Sequence, residues 1–280
     1  MNLQDSSIAQ IRDYIEQLFP KGCFVSSEQD SRYGILREVI QHLETDQRKG
    51  TKNLQKRAYR IIEKQNKKIK HCQEMLIYES ELKRNGYRLI AGVDEVGRGP
   101  LAGPVVASSV ILDPDTLIPD VDDSKKLSES QRESLYDLIM EKAIAIGIGV
   151  VHNEVIDRIN ILRASLEAMS QAVKGLSIQP DYLLVDGQHC PDLHLAMKPI
   201  VGGDGLSFSI ASASIIAKVT RDRIMVEFDR IYPQYNFASN KGYPTPNHLS
   251  TLQKFGPCEI HRKSFAPVHK SLRQFEIKIK

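Results

Sequence analysis

Four acidic side chains, Asp94, Glu95, Asp186 and Asp204, stand where a sheet could deliver them to one edge. Asp94 and Glu95 follow the apolar run from Arg88 to Val93, which reads as a strand. Asp186 closes a second apolar run, DYLLV, and Asp204 follows the Gly202-Gly203 pair just before a helical pattern. Strand ends and helix starts of one α/β sheet often meet at one edge, where sites are built. Carboxylates gathered there repel one another unless a cation lies between them. Oxygen donors without His or Cys favour Mg2+ or Mn2+ over zinc. Two such ions can stabilise both the attacking and the leaving oxygen of a phosphoryl displacement. Taken singly, each acid also fits a turn or capping residue. Asp94 and Glu95 are adjacent, so on a regular strand they face opposite sides. Both reach one site only if the strand ends or bulges there, a break that Gly97 and Gly99 would suit.

Two further groups of residues could meet a phosphate. Gly97-Arg98-Gly99 is a turn whose glycines would let backbone N–H groups approach an anion. It is no dinucleotide fingerprint, because Pro104 and a β-branched strand follow it rather than a helix. The chain also lacks the Gly-Lys-Ser/Thr of a nucleotide-binding loop; a simple tight turn is the other reading. Farther on, Ser214, Lys218 and Arg221 are spaced by four and three, which puts them on one helical face. They lie among Ile210, Ile215, Ile216 and Val219 and several small residues. A buried helix with one polar stripe suits a phosphate partner, and a solvated face fits equally well.

These residues need elements to hold them. Strands are expected at Arg88–Val93, VVASSVIL, AIAIGIGVV and DYLLV, with a weaker one at LAMKPIV. The first two follow each other without a crossover helix, so they should pair antiparallel. Ser128 and Gln131 form a capping box for a helix to about Lys142. Leu162, Leu166, Met169, Val173 and Leu176 mark another helix, with Gly175 near its end. A long helix should run from about Ser207 to Tyr232, stopped by Pro233. Thr245 and Pro246 open a short one. Residues 113 to 125, with Pro114 and Asp115, read as loop. The pattern is α/β with a mixed sheet.

The 280-residue chain carries a net charge of +3, but the charge is uneven. Residues 1–47 sum to −4, residues 48–70 to +9 and the remainder to −2. Global charge is therefore no argument for nucleic-acid binding, whereas the segment RKGTKNLQKRAYRIIEKQNKKIK is strongly basic. Within it Leu54, Ala58, Ile61, Ile62 and Ile69 fall on one helical face. Residues 73 to 84 should form another helix, ended near Gly86. We expect a helical, partly basic extension over 1–72 and a catalytic domain over 73–280, including a C-terminal helical segment. No apolar run reaches membrane-spanning length, and the start does not read as a signal peptide. Cys23, Cys72, Cys190 and Cys258 are scattered, which argues against zinc or a disulfide scaffold and fits a reducing, cytoplasmic setting.

The segments AGVDEVGRGPLAGPVVASSVIL, DSKKLS, LLVDG, GGD followed by SIASASIIAKVTRD, GYPTPNH and HRKSFAPV occur in the order and spacing of ribonuclease HII. From about Tyr87 to Val268 the chain resembles that bacterial family. The resemblance implies a ribonuclease H-like fold and cleavage of the RNA strand of RNA–DNA hybrids. It also implies incision 5′ of single ribonucleotides in duplex DNA, leaving 3′-hydroxyl and 5′-phosphate ends, in the removal of ribonucleotides from DNA. It makes Asp94, Glu95, Asp186 and Asp204 catalytic ligands of Mn2+ or Mg2+. Gly97, Arg98, Gly99 and Tyr243 become the group that senses the ribose 2′-hydroxyl, the atom that tells RNA from DNA. Lys125, Ser214, Lys218 and Arg221 become backbone-phosphate contacts, while Asp222 pairs with a neighbouring base. Val201 stands where a Lys near Gly202 is expected. The expected partners are hybrid and ribonucleotide-containing duplex, with no membrane, for a monomer.

Overall fold

The computed structural model describes residues 3–20, 30–113 and 116–279; Cys23, Pro114 and Asp115 lie outside the described residues. The chain divides into two units, Met1–Glu74 with Leu117–Asp120, and Met75–Thr116 with Val121–Lys280.

The first unit holds α1 (Ile8–Leu18), α2 (Ser31–Thr45) and α3 (Thr51–Met75). Ser7 and Gln10 close a capping box on α1, and the Asp30 carboxylate caps α2 through the Arg32 N–H. Ile11, Ile15, Tyr33, Leu36, Val39 and Leu43 form its core with Leu54, Ala58 and Ile69. Ile61 and Ile62 pack at its margin, so the five apolar residues of the basic segment all face inward. The helix runs on to Met75, past the expected boundary at residue 72.

The second unit begins with α4 (Ile77–Arg84), β1 (Ile90–Val96), β2 (Val105–Ile111), α5 (Glu129–Lys142) and β3 (Ala145–Val151). It continues with α6 (Asn153–Ile159), α7 (Ile161–Lys174), β4 (Tyr182–Asp186), β5 (Ala196–Ile200) and α8 (Phe208–Ile231). Three helices complete it: α9 (Phe237–Asn240), α10 (Pro246–Phe255) and α11 (Ala266–Ile279). The caps fall where the sequence puts them. Ser128 and Gln131 form the box on α5, Gly175 ends α7, Ser207 caps α8, and Thr245 with Pro246 opens α10. The sequence did not indicate α6, a seven-residue helix separated from α7 by Asn160 at φ +68°.

One five-stranded sheet has the order β3-β2-β1-β4-β5. The β1–β2 and β2–β3 pairs are antiparallel, and the β1–β4 and β4–β5 pairs are parallel. The sheet is therefore mixed, with an antiparallel start as expected. Its two faces are shaped by glycines at period two. A Cβ on Gly92 would lie 2.0 Å from the Ser209 carbonyl carbon, so α8 rests directly on β1. On the opposite face, Cβ atoms on Gly147 and Gly149 would lie 1.9 and 2.0 Å from the carbonyl oxygens of Ala172 and Ala168. There α7 rests on β3. The core between sheet and α7 contains Ala91, Val93, Ala107, Ile111, Ala168, Ala172 and Leu183. No helix among the described residues is long and apolar enough to cross a membrane.

Candidate active site

The central strand delivers the first two acids differently from expectation. β1 does not stop at Val93. It pairs regularly with β2 through Asp94↔Ser108, Glu95↔Ala107 and Val96↔Val106. Asp94 therefore shares the α8 face with Gly92, and Glu95 shares the opposite face with Val93. Both still reach one place because β4 is short. The parallel register with β1 ends at Val93↔Val185, and β4 stops at Asp186. Beyond that point the β4 side of β1 is open, and Glu95 can approach Asp186 around the strand end.

The other two acids are placed by neighbouring turns. Asp186 accepts the Gly203 N–H at 2.7 Å, which ties the end of β4 to the Gly203–Gly205 turn bearing Asp204. A Cβ on Gly203 would lie 2.6 Å from the Ile210 Cδ1, so this turn packs closely on the Ile210 side chain of α8. Asp204 is buried, and Lys125 donates to its Oδ2 at 2.8 Å.

Electrostatics reports the crowding. Burial, then the charges of Glu95 and Asp186, push the Asp94 carboxyl well above the usual range, with Asp204 adding to it; the Ser214 hydroxyl opposes this. Burial pushes Glu95 up to about 7, with Arg98 opposing and Asp186 adding. Asp186 is raised by burial and by Asp204, against the Gly203 N–H and Lys125. Burial lowers the Lys125 ammonium, but Asp204, Asp123 and Asp94 outweigh it and raise it to about 12. Asp94 thus feels the charges of Glu95, Asp186 and Asp204, Glu95 feels that of Asp186, and Asp186 feels that of Asp204. Among the described residues, however, no three His, Cys, Asp or Glu side chains lie close enough together as they stand to hold a metal ion. Asp204 is instead held by Lys125, Asp186 by a backbone amide and Glu95 by Arg98 at 3.3 Å. An all-oxygen set that repels itself fits hard divalent cations, which would relieve the repulsion.

Beside Glu95 the chain turns at Gly97, whose φ is +98°. A Cβ there would lie 2.3 Å from the Arg221 Nε, so only glycine fits. Tyr243 lies against Gly99, its ring carbon 3.6 Å from where a Cβ would be, and it is 39% exposed. The structure thus brings Gly97, Arg98, Gly99 and Tyr243 together. Tyr243 is fixed from below by two buried rings. The Cys258 N–H donates to His261 Nδ1 at 3.0 Å, so the His261 proton sits on Nε2. That Nε2 meets His248 Nε2 at 3.1 Å, which leaves His248 Nδ1 to donate to the Tyr243 carbonyl at 2.8 Å. Both rings are therefore neutral, and burial drives His261 down to about 3, with His248 adding to it.

The expected phosphate contacts separate on inspection. Lys125 is largely exposed and bound to Asp204. Ser214 is buried, sharing a hydrogen bond with Ser124 at 2.8 Å, and its hydroxyl favours the charged form of Asp94. Lys218 pairs with Asp222 at 2.8 Å, as expected for Asp222. Arg221 requires a correction. It is fully buried and donates to the carbonyls of Pro104, Lys241 and Ala102 at 2.9, 2.9 and 3.2 Å. Its guanidinium is committed to the loop, not offered to a phosphate. Sequence reasoning missed its companion Arg262, also fully buried, although the HRKSF segment that contains it stood out. It missed Glu79 too, a buried carboxylate that accepts Ser207 and Ser209 hydroxyls, each at 2.6 Å, at the start of α8.

A family model described as Ribonuclease HII matches residues 91–268, and one described as Ribonuclease HII N-terminal domain matches residues 7–83. The chain belongs to the ribonuclease HII family. It is 60% identical over 188 residues to Ribonuclease HII of Syntrophus aciditrophicus, spanning 67% of this chain and 89% of that one. It is 45% identical over 263 residues to Ribonuclease HII of Clostridioides difficile, spanning 94% of this chain and 98% of that one. The solved ribonuclease H2 from Pyrococcus horikoshii OT3 matches with TM-score 0.57 and 27% identity, over 67% of this chain and 98% of that one. Bst-RNase HIII, described in complex with Mn2+, shares the fold at TM-score 0.51 and 18% identity, over 67% of this chain and 70% of that one. The molecule is an endoribonuclease of the type that acts on RNA–DNA hybrids, built on the ribonuclease H-like fold.

Proposed function

We propose that this enzyme cuts the RNA strand of hybrids with Asp94, Glu95, Asp186 and Asp204. We also propose that it incises 5′ of a single ribonucleotide in duplex DNA, leaving 3′-hydroxyl and 5′-phosphate ends. The observation that carries this is a juxtaposition. Four carboxylates, of which Asp94 feels the charges of the other three, lie beside a glycine turn and a half-exposed tyrosine, linked by the Arg98–Glu95 contact. Divalent ions, Mg2+ or Mn2+, would supply stabilisation of the attacking and leaving oxygens of the phosphodiester. The Mn2+ complex described for Bst-RNase HIII supports that choice of chemistry.

The chain's own residues do the rest. Asp186 and Asp204 keep their spacing because the Gly203 amide binds one and the turn carries the other. The Ser214 hydroxyl favours the charged form of Asp94. Tyr243 offers a ring face to the sugar next to the cut, and the Gly97–Gly99 backbone can approach the 2′-hydroxyl without a Cβ in the way. Lys125, which is exposed, is the residue among the expected phosphate contacts best able to swing toward a phosphate. On this reading residues 73–280 carry the chemistry, and residues 1–72 are an accessory extension. The enzyme works as a monomer in the cytoplasm, removing ribonucleotides from DNA.

The test is a duplex containing one ribonucleotide, incubated with Mg2+ or Mn2+, with the product ends determined. Cleavage 5′ of the ribonucleotide is expected. Asp94→Asn should lower it about 100-fold or more, the scale of losing one transition-state stabiliser. Near wild-type cutting by Asp94→Asn would overturn the site assignment.

A further inference from the structure

The segment from Gly97 to Pro104 is held in an unusual way. Arg262 donates to the carbonyls of Gly97 at 2.6 Å, Arg98 at 3.1 Å, Pro100 at 2.7 Å and Gly103 at 3.0 Å. Its backbone N–H donates to Leu101 at 2.8 Å. Arg221 takes the carbonyls of Ala102 and Pro104. Every carbonyl from 97 to 104 except that of Gly99 therefore points at one of these two residues. Neither guanidinium is ion-paired among the described residues, although both are completely buried. Burial lowers them, to about 10 for Arg221 and about 9 for Arg262, so both keep their charge at neutral pH.

Buried guanidiniums bonded only to main-chain oxygens are costly unless they fix something. What they fix follows from peptide geometry. A trans peptide sets its C=O and N–H antiparallel, and the described residues contain no cis bond. The inward carbonyls of Gly97 and Arg98 therefore turn the N–H groups of Arg98 and Gly99 outward. Gly97 is buried, whereas Arg98 and Gly99 are exposed residues. No acceptor among the described residues takes either N–H. The next residue, Pro100, has no N–H to offer. Two adjacent donors thus face out beside Tyr243, backed by two fixed positive charges, which suits an oxygen-rich group.

We propose that Arg262, assisted by Arg221, is a positioning residue. It holds the Gly97 and Arg98 carbonyls inward and so aims the Arg98 and Gly99 amides at the ribose–phosphate of the cleaved junction. This deepens the reading that the enzyme incises at single ribonucleotides, and rests on it. A lone ribonucleotide offers one 2′-hydroxyl in one register, so it depends on the aim of these amides. A run of ribonucleotides offers many registers and is more forgiving.

The experiment compares wild type, Arg262→Lys and Arg262→Gln on two substrates: a duplex with one ribonucleotide and a hybrid with a long RNA strand. A Leu176→Ala variant, altered in the core just beyond α7, serves as a control for lowered stability. The quantity read is the ratio of kcat/KM on the two substrates, with Tm measured alongside. Arg262→Gln should lower the ratio about 100-fold, the scale that a misplaced positioning group costs. Arg262→Lys keeps the charge but cannot span four carbonyls, so its ratio should fall to an intermediate value. Leu176→Ala should lose Tm and keep the ratio. If Arg262→Gln fails to fold, Arg262→Lys alone decides. A variant that cuts both substrates equally less well, or keeps the wild-type ratio, overturns the proposal. A wild type that cuts the hybrid but not the single ribonucleotide overturns the underlying reading, and the proposal with it.

Discussion

Replacing Arg221 by Met separates two roles that the sequence leaves entangled. As a phosphate contact on an exposed stripe, Arg221 would matter for binding and little for folding. As the structure has it, the side chain is buried and serves the carbonyls of Pro104, Lys241 and Ala102. Met matches its length but donates nothing. Each carbonyl left without a donor costs about 1–3 kcal/mol, or roughly 3–9 kcal/mol for the three. Removing the guanidinium also relieves its own burial cost, which offsets part of this. With that offset, a net loss of roughly 3–5 kcal/mol remains, in the lower part of the range for the three unsatisfied acceptors.

At about 2–4 °C per kcal/mol for a chain of this size, Tm should fall by roughly 6–20 °C. Hybrid affinity, measured in EDTA by fluorescence anisotropy across a salt series, should keep its slope. A true phosphate contact predicts the reverse, with Tm nearly unchanged and the slope of log affinity against log salt reduced by about 1. That result would refute the clamp. Arg221→Lys gives a second reading if Met is not tolerated, since one ammonium cannot reach three carbonyls and an intermediate Tm loss is expected.

Other outcomes follow from the same geometry. Tyr243→Ala should impair incision at a lone ribonucleotide far more than cutting of a long hybrid, read as kcat/KM on each; equal cutting of the single-ribonucleotide duplex refutes the sensing role. The buried neutral His261, at about 3 against an ordinary 6.5, stabilises the fold fully above pH 6.5 and loses that contribution as pH falls toward 3. By pH 5.5 its share of the loss is about 1.4 kcal/mol. Urea titrations at pH 7.5 and 5.5 measure it, and an identical loss in His261→Gln would argue against this source. Lys52, Lys56, Arg60 and Lys64 repeat every four residues on the exposed side of α3, and like charges at that spacing disfavour the helix. Changing all four to Gln should raise the stability of α3 slightly while weakening hybrid binding and flattening its salt slope. An unchanged slope would leave the stripe as solvated surface only.

The helix caps were legible because they are local. Ser128 with Gln131, Thr245 with Pro246 and Gly175 each act within four residues, and the structure uses all of them. The antiparallel start was legible because too few residues separate β1 from β2 for a crossover. What escaped depends on partners far along the chain. Arg221 reads as one more polar residue on a helical stripe, because two of its three acceptors lie 117 and 119 positions earlier. Arg262 reaches back 159 to 165 positions and has no periodic signature. The end of β1 was misplaced for a related reason. Two adjacent acids resemble a strand terminus, yet Ser108 and Ala107 on β2 supply the pairing that carries the strand through them. The acids come together through the shortness of β4, a property of another strand.

Exposure sorts the cations of the site by what each can do. Lys125 and Arg98 are 77% and 51% exposed at the side chain, and each rests on a carboxylate, the buried Asp204 and the partly buried Glu95. Such contacts are loose and can be exchanged, because an exposed ammonium or guanidinium loses little by leaving its partner for water or a phosphate. Arg221 and Arg262 have no such freedom, since leaving would strand buried charge and buried carbonyls together. Substitutions at Lys125 or Arg98 should therefore alter rate and substrate affinity with little change in Tm. Substitutions at Arg221 or Arg262 should move Tm first and reach the chemistry only through the loop they hold. The same two residue types thus perform opposite tasks within one site, and solvent access, which the sequence does not display, decides which.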